Sequence, residues 1–253
     1  MAELDQDLIK LPPPQTQGGP GIYTCLEKRR SFRHYVNRPI SLTDLSQLLW
    51  CADGISDGKS KYRTAPSPFA AFPMELHVIT KEGFYHYNPE EHTLERRFKG
   101  DALREMSKER AAISYTMSAP VVVMISSVIE RFKKWILPPD HGGPFLPKDW
   151  YAYASVSLIL EAAHICQNLL LAAAGLGMSG VPVCHFSRDR LRKILKLDRE
   201  PLNISDIHYL VPVAYPDMNR ARVLDKDWDH VQRMAIPEYP KYALEEGEEP
   251  YVL

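Results

Sequence analysis

The residues best suited to chemistry lie near the start of the chain, in KRRSFR (28–33). Along an extended segment alternate side chains share a face, so Arg29, Ser31 and Arg33 would point the same way. Two guanidinium forks and a hydroxyl suit a phosphate-sized dianion, because arginine donates in a planar, bidentate fashion. A solvated basic turn or a nucleic-acid patch has the same composition, although the run is short and isolated in a chain of net charge -1. A second pair, Arg220 and Arg222, stands just after the last apolar strand and would converge on the same anion. The stretch 64–73, TAPSPFAAFP, is stiffened by Pro66, Pro68 and Pro73 and exposes backbone carbonyls, so it suits packing against a flat ring or serves as a stiff connector. In MSGVPVCH (178–185), Cys184 and His185 are sequence neighbours on a strand and point to opposite faces, which disfavours direct proton transfer between them. No metal-ligand spacing is present. Cys25, Cys51, Cys166 and Cys184 are far apart and form no C-x-x-C pair.

The elements that must position these residues follow from pattern. Residues 150–177 are rich in Ala and Leu and free of proline, which predicts one helix of roughly 40 Å at about 1.5 Å per residue. Asp149 would cap it, and Gly175 and Gly177 would end it. Ser157, Glu161, His164 and Asn168 follow at helical spacing as one polar stripe. Glu161, His164, Gln167 and Asn168 leave no run of about 20 apolar residues, so a core or subunit-interface helix is expected rather than a membrane span. Ser41 to Asp44 resembles a capping box opening a helix over 42–55. Strands are expected over 74–80, 84–88 and 93–98 as a meander, then over 119–126, 178–183 and 208–213. Short helices are expected over Ile22–Lys28, 101–112 and 187–195. The order is α+β, with antiparallel pairing in the middle and helices around it. Residues 1–20 read as an extended arm, 21–222 as the main domain, and 223–253 as a tail that wraps a neighbour. A length of 253 residues supports a sizeable core, and 45% apolar with 25% charged residues is ordinary for a globular protein. The balanced charge gives no argument for nucleic acid or an anionic membrane. The N-terminus lacks an apolar signal core, which makes the cytoplasm the default.

Taken together, the chain resembles the nitroreductase superfamily of flavoproteins, and within it the SagB-type dehydrogenase branch. The resemblance rests on residues 29–55, 63–79, 85–95, 118–126, 161–186 and 208–216, in order, rather than on one short motif. It implies an α+β fold built as an intertwined homodimer, with the long helix at the interface and two FMN sites. It implies that Arg29, Arg30, Ser31 and Arg33 form the flavin element: Arg29 and Ser31 on the phosphate, Arg33 near the pyrimidine edge of the ring. Pro66, Ser67 and Pro68 would edge the ring from the partner subunit. Val183, Cys184 and His185 would lie by the reactive N5, and Arg220 and Arg222 would complete the phosphate clamp. The SagB-type loop usually reads P-S-A-G-A-x-Y-P, whereas this chain has Pro68, Phe69 and Phe72 at the third, fourth and seventh places, so Phe69 and Phe72 would wall the substrate cleft. The family often has Glu-Gly or Gly near Cys184-His185, and Ala214 stands where Gly is common.

The resemblance implies ping-pong transfer from NADH or NADPH through FMN to a small organic acceptor such as a nitroaromatic or quinone, with no catalytic side chain compulsory. A SagB-like azoline dehydrogenase acting on a modified peptide is the alternative enzyme. A flavin-binding or sensory protein without turnover is the alternative of another class.

Overall fold

A computed structural model describes residues 4–131, 150–197 and 204–220. In chain order the strands are β1 (Leu8–Lys10), β2 (Ile55–Asp57), β3 (Tyr62–Arg63), β4 (Met74–Ile79), β5 (Gly83–Asn88), β6 (Thr93–Lys99), β7 (Val121–Ser127), β8 (Ser179–Gly180) and β9 (Asp206–Ala214). The helices are α1 (Ile22–Lys28), α2 (Leu42–Asp53), α3 (Ala102–Lys108), α4 (Ser114–Met117), α5 (Trp150–Gly175) and α6 (Arg188–Leu195). Seven strands form one sheet in the order β1-β6-β5-β4-β7-β9-β8, every pairing antiparallel, and β2 and β3 form a separate hairpin.

Burial on both faces explains the strand sequences. On one face Leu76, Val78, Tyr85, Val123, Val211 and Val213 pack against Leu45, Leu48 and Leu49 of α2 and Ile165 and Leu169 of α5. On the other, Ile79, Phe84, Val122, Met124 and Leu210 meet Leu103 and Met106 of α3 and Leu191 and Leu195 of α6. The fold is therefore a three-layer α+β arrangement with a covered antiparallel sheet. All six residues of β4 are buried, including Glu75 and His77, so its alternation does not mark a solvent face.

Local chemistry sets several element ends. Ser41 caps α2 by accepting the Asp44 N–H at 3.0 Å. The reciprocal bond expected of Asp44 is replaced by a longer-range one: its Oδ2 accepts the Tyr215 hydroxyl at 3.3 Å. Ile55, expected in α2, instead opens the β2–β3 hairpin, because the chain leaves the helix at Gly54. The helix expected over 101–112 stops at Lys108, and α4 follows as a separate turn. Gly177 ends the α5 region at φ +72, a conformation that favours glycine. The expected cap Asp149 lies outside the described residues.

The arm expected over 1–20 is extended but belongs to the sheet. Leu8–Lys10 pairs with β6, and Leu4, Ile9 and Leu11 are buried. Arg96 of β6 clamps it through Asp5 and Asp7 at 2.7 and 2.6 Å. The polar stripe of α5 divides: Ser157 and Glu161 are buried and Asn168 half-buried, while His164 is exposed. Within α5, Tyr153–Gly175 is long and apolar enough to cross a membrane by length and composition, and half of its most apolar 18-residue stretch is buried inside the fold. Met1–Pro216 forms one compact unit, and a second begins at Asp217.

Candidate functional site

The basic segment is held at the free edge of the sheet. Arg29 closes α1 by donating its N–H to Cys25 O at 2.9 Å and turns the chain extended. Beyond it, the buried hydroxyl of Ser179 in β8 accepts the Phe32 N–H at 3.0 Å and lies 3.1 Å from Arg30 O, its acceptor. The Val36 N–H then donates to Tyr215 O at 3.0 Å, so the segment tracks along the sheet edge. Arg30 Nη1 donates to the carbonyls of Glu27 and Arg29, both at 2.8 Å. Arg33 donates to Ser31 O at 3.1 Å, and its Cζ lies 5.6 Å from the Tyr115 ring of α4. Among the described residues no carboxylate pairs with Arg29, Arg30 or Arg33. Among the described residues the segment is therefore a run of positive charge without a carboxylate partner.

The segment carrying Val183, Cys184 and His185 continues from β8. Val183 and Leu210 exchange backbone bonds at 3.0 Å each, which drives Val183 into the core and leaves Cys184 and His185 exposed. A bridge between Ala112 and Phe186 follows, and His185 lines a cavity of about 420 Å³ with Arg110, Ile113 and Ser187. Arg33 reaches α4 next to Ile113, so the structure brings 29–33 and 183–185 to one sheet edge. Ser179, which joins them, was not singled out by sequence reasoning: its position between glycine-rich neighbours was visible, its partners were not. Burial, with Cys184 adding to it, pushes the Cys166 thiol up to about 12, which disfavours a reactive thiolate there.

Pro66, Ser67 and Pro68 lie elsewhere in the same chain, against the flank of α5. Asn168 Nδ2 donates to Thr64 O at 3.2 Å, and the Ser67 hydroxyl donates to Glu161 Oε2 at 2.8 Å. The Phe72 N–H donates to Ser67 Oγ at 2.9 Å. Phe69, Ala70 and Phe72 all have positive φ (57°, 52° and 45°), a strained conformation for residues other than glycine. Phe69 is exposed, its ring 6.3 Å from that of Tyr153, and the Phe72 ring lies 5.1 Å from Arg63 Cζ. The hydrogen bonds of Ser67 and Pro68 run to α5 and within the loop rather than to 29–33 or 183–185.

Arg220 belongs to the unit beginning at Asp217, where Asp217 Oδ1 accepts the Asn219 and Arg220 N–H groups at 3.1 and 3.4 Å. Arg222 and the tail 223–253 lie outside the described residues. Sequence reasoning also left unassigned a buried cluster beneath the loop, formed by Asp53, Arg63 and Glu161. Only Glu161 carried a signal, as a charge in an apolar helix.

The architecture has known counterparts. The Nitroreductase family model matches residues 26–215, and the chain belongs to the nitroreductase family, a family of oxidoreductases. A Methanocaldococcus jannaschii protein provisionally named a nitroreductase is 31% identical over 183 residues, covering 70% of this chain and 85% of that protein. The crystal structure of a protein from Ralstonia eutropha, also provisionally named a nitroreductase, superposes with a TM-score of 0.67 at 24% identity over 84% of this chain and 91% of that one. The NADPH:FMN oxidoreductase of Vibrio harveyi, solved with NAD+, superposes with a TM-score of 0.52 at 17% identity over 78% of this chain and 69% of that one. At these identities the two structures establish the fold. The similarity reaches the family and does not distinguish a SagB-type branch.

Proposed function

We propose that the chain is an FMN-dependent oxidoreductase that passes electrons from NADH or NADPH to a small organic acceptor, such as a nitroaromatic or a quinone, in ping-pong fashion. The observation that carries this reading is the run Arg29, Arg30 and Arg33, without a carboxylate partner among the described residues and held by Ser179 at the sheet edge. The Arg29 guanidinium, without a carboxylate partner among the described residues, and the Ser31 hydroxyl offer donors that suit a phosphate dianion. FMN, when bound, supplies hydride acceptance and donation at N5. Arg29 and Ser31 would hold its phosphate. Arg33 would place positive charge near the pyrimidine edge, where negative charge grows on reduction. The backbone of 183–185 would face N5. The V. harveyi enzyme, an NADPH:FMN oxidoreductase by name, supports the choice of both cofactors.

The reading includes a homodimer. Val156, Ile159 and Leu160 of α5 and Ile22, Tyr23 and Leu26 of α1 are each half or more exposed in the single chain. Apolar surface of this extent marks an interaction face. A second copy would cover it and bring its own Pro66, Ser67 and Pro68 to the flavin edge, with Phe69 and Phe72 as walls of the cleft. A cytoplasmic location accords with this reading, in which α5 serves as an interface helix and not as a membrane span.

Anaerobic titration of the purified protein with NADH and then NADPH, followed by absorbance, tests the proposal. Flavin bands bleached by either nucleotide are expected. A colourless protein that also ignores added FMN overturns it.

A further inference from the structure

Beneath the 64–73 loop, Asp53 at the end of α2, Arg63 of β3 and Glu161 in the middle of α5 form a sealed cluster. Asp53 and Glu161 are 4% and 2% exposed. Arg63 Nη1 lies 2.8 Å from Asp53 Oδ2, and Glu161 Oε2 accepts the Ser67 hydroxyl at 2.8 Å. Two carboxylates and one guanidinium would leave an uncompensated negative charge in the interior unless one carboxyl keeps a proton. Burial pushes both carboxyls up, Asp53 to about 8 and Glu161 to about 7, against the opposing charge of Arg63. The charges of Glu161 and Glu75 raise Asp53 further. Among the described residues Tyr87 also faces Asp53 and Arg63, with Cys51 nearby, and its hydroxyl is bonded to His92 Nδ1 at 3.0 Å.

The cluster is tied to the strained loop through one hydroxyl. Because Ser67 Oγ accepts the Phe72 N–H, its own proton is directed to Glu161. This chain of bonds closes the turn that holds Phe69, Ala70 and Phe72 at positive φ. A conformation of that kind persists only where surrounding contacts enforce it.

We propose that Glu161 is the positioning residue of the 64–73 loop, and that it keeps a proton in the closed loop which it gives up when the loop opens, making loop closure pH-dependent. The consequence for turnover rests on the reading of this loop as a wall of the flavin cleft; the proton linkage itself does not. The sign follows from solvation. Opening the loop exposes Glu161 to water, returns it toward an ordinary carboxylic acid and releases the proton. The closed state therefore binds more protons. Closure is strongest below about pH 4.5, weakens as pH rises toward 7, and levels off beyond.

Hydrogen exchange at the Phe72 amide, corrected for the intrinsic effect of pH and followed in the full chain with and without FMN, tests this. Wild-type protection is expected to fall about tenfold or more between pH 5.5 and 7.5. Glu161→Gln keeps an acceptor for Ser67 but has no proton to lose, so its protection should stay level over the same range. Ser67→Ala should lose protection at every pH. A pH-independent wild-type profile overturns the proposal, as does a Glu161→Gln profile that follows the wild-type curve. The wild-type profile alone decides the matter should a variant fail to fold. A protein that refuses FMN yet shows the predicted exchange overturns the flavin reading and leaves this one standing.

Discussion

Arg29 and Ser179 make separable contributions at the edge site, one of charge and one of position. Losing a charge-assisted hydrogen bond costs about 1.5–3 kcal/mol, so Arg29→Ala should weaken FMN binding about 10- to 100-fold, and Arg29→Lys less. Equilibrium dialysis or flavin fluorescence quenching measures this; unchanged retention removes Arg29 from the phosphate site. Ser179 touches no expected ligand, yet its buried hydroxyl both accepts from Phe32 and donates to Arg30. Ser179→Ala leaves the Phe32 N–H without its partner and should cost about 1–3 kcal/mol in chemical denaturation, with a loss of FMN affinity beside it. A stable variant with weakened FMN would show that the hydroxyl acts by holding the segment in place. Arginines two apart announce themselves by type; a serine 147 residues from its partner does not.

Among the elements, α5 carries two unlike faces. One packs on the sheet through Ile165 and Leu169, and the other leaves Val156, Ile159 and Leu160 exposed. A charge on the second face leaves the core untouched but opposes apolar association. Leu160→Glu should therefore convert the proposed dimer to a monomer in light scattering while the folded circular dichroism persists. A dimer that withstands Leu160→Glu and Ile159→Glu together would place the interface elsewhere. The sequence showed an apolar helix on nearly all sides; which side the sheet covers depended on where β4, β7 and β9 lie.

For the whole molecule, buried titratable groups link stability to pH in opposite senses. His77 is fully buried in β4, its Nε2 3.0 Å from Ser126 Oγ. Burial, and secondly the charge of His86, pull it down to about 3. Its contribution to stability is thus complete above pH 6.5 and is lost as pH falls through the range to about 3, by at most about 1.4 kcal/mol per pH unit. Asp53 and Glu161 act the other way, losing theirs as pH rises from about 4 toward 8. Urea denaturation across pH should show a His77→Gln variant gaining on the wild type steadily below pH 6.5. A constant difference would mean that His77 carries no proton linkage.

The sequence by itself determined the local elements and the chemistry of the basic segment. Ser41 caps α2, Ala and Leu content without proline gives α5, and apolar runs give β7 and β9, because propensity and periodicity depend on residues a few positions apart. The arginines of 29–33 were legible for the same reason. Tertiary structure alone decided that Leu8–Lys10 becomes an edge strand on β6, that Ser179 fastens the basic segment, and that Asp53, Arg63 and Glu161 meet beneath a strained loop. Each of these joins segments far apart in the chain. Such contacts form where sheet order and register bring the segments together, and the loop-closure entropy they cost is offset by burial of the whole core rather than by any local signal.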